Sequence, residues 1–141
     1  MPVYFSNSTN DQAPGPVFFK ALIFKSLKYL RLNKEKIIID LAIVSKGEMR
    51  RLNKKYRGQN MPTDVLSFSF MENDIKLGQI VICLAIAKKD ARKENISLKE
   101  KLAKLTIHGL FHLLGYDHEK RKEKEKMERL EKNLWQKVIL S

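Results

Sequence analysis

The chain has 141 residues, 43% of them apolar and 31% charged, which suits one folded domain with one core and excludes a fully disordered chain. Its 28 Lys and Arg against 16 Asp and Glu give a net charge of +12, so contact with a polyanion is expected. The longest apolar run, Ile80 to Ala87, falls far below the roughly 18 residues of a membrane span, and MPVYFSNST shows no secretory signal. Cys83, the single cysteine, cannot form an intrachain disulfide, and together these features predict a reducing, cytoplasmic setting.

In chain order, Val3 to Ser6 reads as a strand and Asn7 to Pro16 as a loop. Val17 to Leu32 has helical spacing, with Phe19, Leu22, Ile23, Leu27 and Leu30 on one face. Lys36 to Ser45 holds IIIDLAIV, a buried strand. Glu48 to Arg57 reads as a basic helix and Gly58 to Pro62 as a turn. Asp64 to Met71 alternates apolar and polar residues, as a strand with one wet face does. A turn over Glu72 to Lys76 leads to a second strand, Gly78 to Leu84, so the two should pair. Helices are expected over Ala85 to Glu94, Leu98 to Leu114 and Glu119 to Val138. The middle one opens on a capping box, Ser97 with Glu100. The last carries Met127, Leu130, Leu134 and Val138 as its apolar stripe, with a Lys/Glu-rich solvated face. The order β-α-β-α-β-β-α-α-α predicts an α+β domain over residues 1–141.

All three histidines lie in HGLFHLLGYDH. His108 and His112 are i,i+4, so one helix face presents both rings to a shared metal. On a continuous helix His118 would sit about 80° away, but Gly115 offers a left-handed turn that sends the chain back. Three neutral imidazoles suit a divalent transition metal, Zn²⁺ first, with a coordination position left for water. Cys83 is a poor candidate for a fourth ligand, since it falls in a buried strand. The spacing is shared with the metzincin proteases, whose motif carries a general-base Glu after the first histidine. Gly109 stands there in this chain, which disfavours a peptidase and favours phosphodiester chemistry, where positive charge stabilises the developing phosphorane.

A second cluster supplies that charge. Lys46, Arg50, Arg51, Lys54, Lys55 and Arg57 face one acidic neighbour, Glu48, and Arg50, Lys54 and Arg57 follow helical spacing. They are candidates for phosphate contact, with Arg57 entering the cleft from the helix end. Ser67 and Ser69 are candidate hydrogen-bond donors to a nucleic-acid backbone. Asp64 either caps its turn or holds Arg57, and Asp117 is a candidate to orient a ligand ring.

HGLFHLLGYDH, LNKKYR (Leu52 to Arg57), PTDVLSF (Pro62 to Phe68) and GQIVI (Gly78 to Ile82) together resemble the YbeY-type endoribonucleases, bacterial rRNA maturation factors. The resemblance implies an α+β domain with a small mixed sheet of about four strands and about five helices around a zinc site held by His108, His112 and His118. It implies cleavage of single-stranded RNA in small-subunit (16S) rRNA 3′-end maturation and ribosome quality control. Arg57 would serve catalysis or RNA positioning, His112 would serve both metal and catalysis, and the small ribosomal subunit and its assembly factors would be partners. The chain departs from the family pattern at Gln79, where Asp is usual, and at Ser69, where Pro is usual. The rival readings are a zinc peptidase or amidase, and a non-catalytic RNA-binding assembly factor with a structural zinc.

Overall fold

The computed structural model describes residues 3–115 and 121–139. Four strands form one mixed sheet in the order β1-β2-β4-β3: β1 (Val3–Asn7), β2 (Ile37–Val44), β3 (Val65–Glu72) and β4 (Ile75–Cys83). β1 and β4 flank β2 in parallel, and β3 pairs antiparallel to β4 as the opposite edge. The helices are α1 (Pro16–Tyr29), α2 (Lys46–Arg57), α3 (Leu84–Glu94), α4 (Leu98–Leu113) and α5 (Arg121–Leu134). This is the α+β architecture that the element order predicts.

Burial explains the layering. Alternate residues of β2 and β4, Ile37, Ile39, Leu41, Ile43, Ile80 and Ile82, face α1 and α4 and form the main core with Phe19, Ile23, Leu27, Leu102 and Leu110. Their β-branched side chains suit a pleated, buried surface. The opposite face is only partly covered. There α2 packs Met49 and Leu52 on Val44, Leu66, Val81 and Cys83. α5 docks outside α1 and α4, with Met127 and Leu134 buried against Leu22, Ile107 and Phe111. Met127, Leu130 and Leu134 of the predicted stripe are therefore its packing face, while the Val138 side chain lies outside the described ones.

Several boundaries move, each for a local reason. α2 starts two residues before the predicted Glu48, because Ser45 caps it by accepting the Glu48 N–H at 3.2 Å. α1 stops at Tyr29 rather than Leu32, where Arg31 takes a positive φ of 58°. β4 begins at Ile75, not Gly78. The hairpin is closed by Asn73 and Asp74 alone, at φ 50° and 66°, as a tight two-residue turn needs. Ser97 caps α4 as predicted, its Oγ accepting the Glu100 N–H at 3.0 Å, while the Glu100 carboxylate pairs with Lys104.

Candidate metal centre and cleft

α4 carries the two described histidines, and its approach to the sheet decides where they stand. A Cβ on Gly109 would lie 2.9 Å from Ile80 Cγ2 and 3.1 Å from Ser67 Oγ. Nothing larger than glycine fits without something shifting. The Ser67 hydroxyl uses this closeness and donates to the Gly109 carbonyl at 3.1 Å, tying the edge strand to the helix. His108, one residue before Gly109, and its i,i+4 partner His112, three residues after it, line the cleft beside β3. The same closeness leaves no room at position 109 for the general-base Glu of the protease motif unless Ile80 or Ser67 shifts.

The two imidazoles meet edge to face, their centroids 4.6 Å apart, with His108 Nε2 and His112 Nε2 separated by 3.1 Å. A tetrahedral ion with Zn–N bonds of about 2.0–2.1 Å holds two nitrogens about 3.3 Å apart. The pair therefore fits a shared metal. At the back of His108, Nδ1 lies 3.0 Å from Glu131 Oε1 on α5. An ionised carboxylate only accepts, so Nδ1 carries the proton and Nε2 is turned to the cleft with its lone pair. The Glu131 hydrogen bond raises the His108 pKa, which burial opposes, and the Glu131 and Asp64 charges add to the rise.

α4 ends where the motif requires a break. Gly115 takes φ 93° and its N–H bonds to His112 O at 3.1 Å, the left-handed turn that the glycine predicts. Lys76 Nζ donates to Leu113 O at 2.9 Å, closing another of the helix's last carbonyls from β4. His118 and Asp117 lie outside the described residues. Among the described residues no group of three His, Cys, Asp or Glu side chains is gathered for a metal.

A cleft of about 430 Å³ runs from the histidines across β3 to the end of α2. His108, His112, Asp64, Ser67 and Arg57 all line it, together with Asn53 and Thr63. Five of the sequence-predicted residues are thus brought to one place. Arg57, the last residue of α2, reaches across the sheet edge: its guanidinium donates to Ser67 O at 3.1 Å and lies 5.5 Å from the Phe68 ring. Asp64 takes the capping option, accepting the Val65 N–H at 2.7 Å. Arg50 and Lys54 sit on the exposed side of α2 outside the cleft wall, Arg50 donating to Asn60 Oδ1 at 2.9 Å. Ser69 is exposed on the strand face shared with Ser67, while Cys83 is fully buried among apolar side chains under α2. Gln79 pairs with Phe68 on the sheet face opposite Ser67 and Gly109, so the departure there leaves the cleft untouched.

Two residues escape sequence reasoning. Glu131 belongs to the Lys/Glu-rich face of α5 and looks like any solvated carboxylate until α5 docks. Asn53, buried on α2, donates from Nδ2 to Met61 O at 2.8 Å and fixes the loop that leads into β3. Its only signal is an amide at a position where the apolar stripe of a basic helix turns inward.

A four-stranded α+β fold with paired imidazoles and a guanidinium converging on one polar cleft defines the class, and comparison with known proteins gives the family. The family model described as endoribonuclease YbeY matches residues 7–139. An endoribonuclease YbeY of Buchnera aphidicola from Acyrthosiphon pisum is 40% identical over 137 residues, covering 94% of this chain and 86% of the relative. One from Mycoplasmopsis synoviae is 43% identical over 108 residues, covering 72% and 69%. The solution structure of TM1509 from Thermotoga maritima superposes with a TM-score of 0.61 at 30% identity, covering 94% of this chain and 89% of that one. The chain belongs to the YbeY endoribonuclease family.

Proposed function

We propose that this chain is a zinc-dependent, single-strand-specific endoribonuclease. It acts in small-subunit (16S) rRNA 3′-end maturation and ribosome quality control, as a single cytoplasmic domain over residues 1–141. The observation that carries this reading is the convergence of His108, His112 and Arg57 on one cleft beside an edge strand. Family membership supports RNA as the substrate class. Among the described residues no helix is long and apolar enough to cross a membrane. The small ribosomal subunit and its assembly factors are the proposed partners.

His108 and His112 are the described side chains that would hold the metal, with His118 as the third ligand. When bound, zinc supplies Lewis acidity, lowering the pKa of water to about 7 and drawing charge from a phosphate oxygen. Glu131 keeps the His108 tautomer that presents Nε2. The planar guanidinium fork of Arg57 suits a phosphate bidentately. Its bond to Ser67 O and its cation–π contact with Phe68 hold it at the cleft mouth, where it offsets negative charge building on phosphorus. The Ser67 proton is committed to Gly109 O, so that hydroxyl offers the cleft an acceptor and braces the strand. Asp64 adds a carboxylate to the cleft wall, and its charge contributes to the raised His108 pKa.

The test is cleavage of single-stranded RNA, including a small-subunit rRNA precursor, by wild type, His112→Ala and Arg57→Ala. Both variants should retain the fold and lose cleavage, and Arg57→Ala should keep bound metal. Products ending in a 2′,3′-cyclic phosphate would assign the attack to the substrate's 2′-OH, and linear phosphates to water. Purified, metal-loaded wild type that never cuts RNA would defeat the proposal.

A further inference from the structure

The sheet face away from α4 is not fully covered. α2 roofs Val44, Val81, Leu66 and Cys83, and the remainder lies open. Phe70 is 60% exposed there and Tyr56, at the adjoining end of α2, is 54% exposed. Phe68 joins them: its ring lies 5.1 Å from Tyr56, and the period of a strand puts Phe68 and Phe70 on the same face. Across the sheet, register places Gln79 opposite Phe68 and Asp40 beside Gln79.

This aromatic row adjoins the cleft. Arg57, which lines the cleft, also lies 5.5 Å from the Phe68 ring. Lys55 Nζ stands 5.1 Å from the Tyr56 ring, and Lys54 and Arg50 are exposed on the same helix. The arrangement is thus two rings on an edge strand and a third on α2, with Arg57 and Lys55 of that helix beside them. We propose that Tyr56, Phe68 and Phe70 form a base-stacking platform for single-stranded RNA, with the α2 cations on its backbone, feeding the strand over the β3 edge to the cleft.

Charge complementarity favours a nucleic acid, since Arg57 stands beside the Phe68 ring and Lys55 beside the Tyr56 ring, with Arg50 and Lys54 exposed on the same helix. Stacking favours unpaired bases. Rings two residues apart on a strand are about 7 Å apart, against about 3.4 Å between neighbouring bases of a duplex. Bases reaching both rings must be splayed, as a single strand allows and a duplex does not. The platform rests on the RNA reading given above, and it supplies a physical source for its preference for single strands.

The test is fluorescence anisotropy with a short, labelled 2′-O-methyl phosphorothioate oligouridylate, at several salt concentrations. An abasic oligomer and a duplex of the same length serve as comparisons. Phe70→Leu and Tyr56→Leu should each weaken oligouridylate binding about five- to fifty-fold, with an unchanged salt slope. Phe70→Tyr should restore binding, since it restores the ring. Lys54→Gln should instead flatten the salt slope and weaken all ligands alike. Circular dichroism checks the fold of each variant. The proposal is overturned if both leucine variants bind like wild type, or if the abasic oligomer or the duplex binds as tightly as the oligouridylate. It is equally overturned if wild type does not bind the oligouridylate, or if the leucine variants change only self-association in sedimentation. Cleavage is scored separately. Wild type that stacks bases but never cuts RNA leaves the platform standing and removes the nuclease reading, while cleavage with ring-independent binding does the reverse.

Discussion

Glu131 takes the Nδ1–H of His108 across 23 positions of sequence, and that one contact selects the tautomer a metal needs. Replacing it by Gln keeps the shape but removes the charge and lets the amide turn either its oxygen or its NH₂ toward the ring. Glu131→Gln should lower zinc affinity about 10- to 100-fold, measured by competition with a chromophoric chelator, with the melting temperature of the metal-free protein little changed. An unaltered affinity would make the contact incidental to the metal. Gly109 acts through space rather than charge. Gly109→Ala pushes a methyl against Ile80 and the Ser67 hydroxyl, and should cost about 1–3 kcal/mol in urea unfolding. The histidine pair was legible from spacing alone, because i,i+4 geometry is local. Glu131 was not, because its role exists only once α5 has docked on α4, and nothing in a run of Lys and Glu marks which carboxylate will face inward.

At the scale of elements, the sheet edge is where the machinery is assembled. β3 offers Ser67 to α4 on one face and Phe68 to Arg57 and Tyr56 on the other. α2 enters through its end: Gly58, at φ 72°, stops the helix just past Arg57, and buried Asn53 fastens the following loop at Met61. Asn53→Ala leaves the Met61 carbonyl without that donor and should cost about 1–3 kcal/mol. Hydrogen exchange should rise over residues 58–64 before it rises in α4, whereas uniform loss of protection would mean that Asn53 supports the whole core instead. Element types were legible from periodicity, and the capped start of α4 from Ser97 and Glu100. The β4 boundary was not, because the left-handed residues of its hairpin are Asn73 and Asp74, whereas glycine, the stronger turn signal, stands inside the strand at Gly78.

For the molecule as a whole, a net charge of +12 draws in a polyanion, while the fold decides what happens to it. The chain divides the work between the two faces of one sheet: apolar packing and the histidine helix on one, exposed rings and basic α2 on the other. The fold class followed from the order of elements, since a strand hairpin inserted between helical crossovers requires a mixed sheet. The convergence of Arg57 with His108, more than fifty residues apart in sequence, depended on β3 lying at the sheet edge, which pattern alone does not settle. The central claim is that the paired imidazoles grip a catalytic metal. It is tested most directly by elemental analysis of untagged protein alongside His108→Ala and His112→Ala, each shown to be folded. The account predicts a single transition-metal ion per wild-type chain and its loss from both variants, whereas wild type without metal, or variants that keep a full complement, would contradict it.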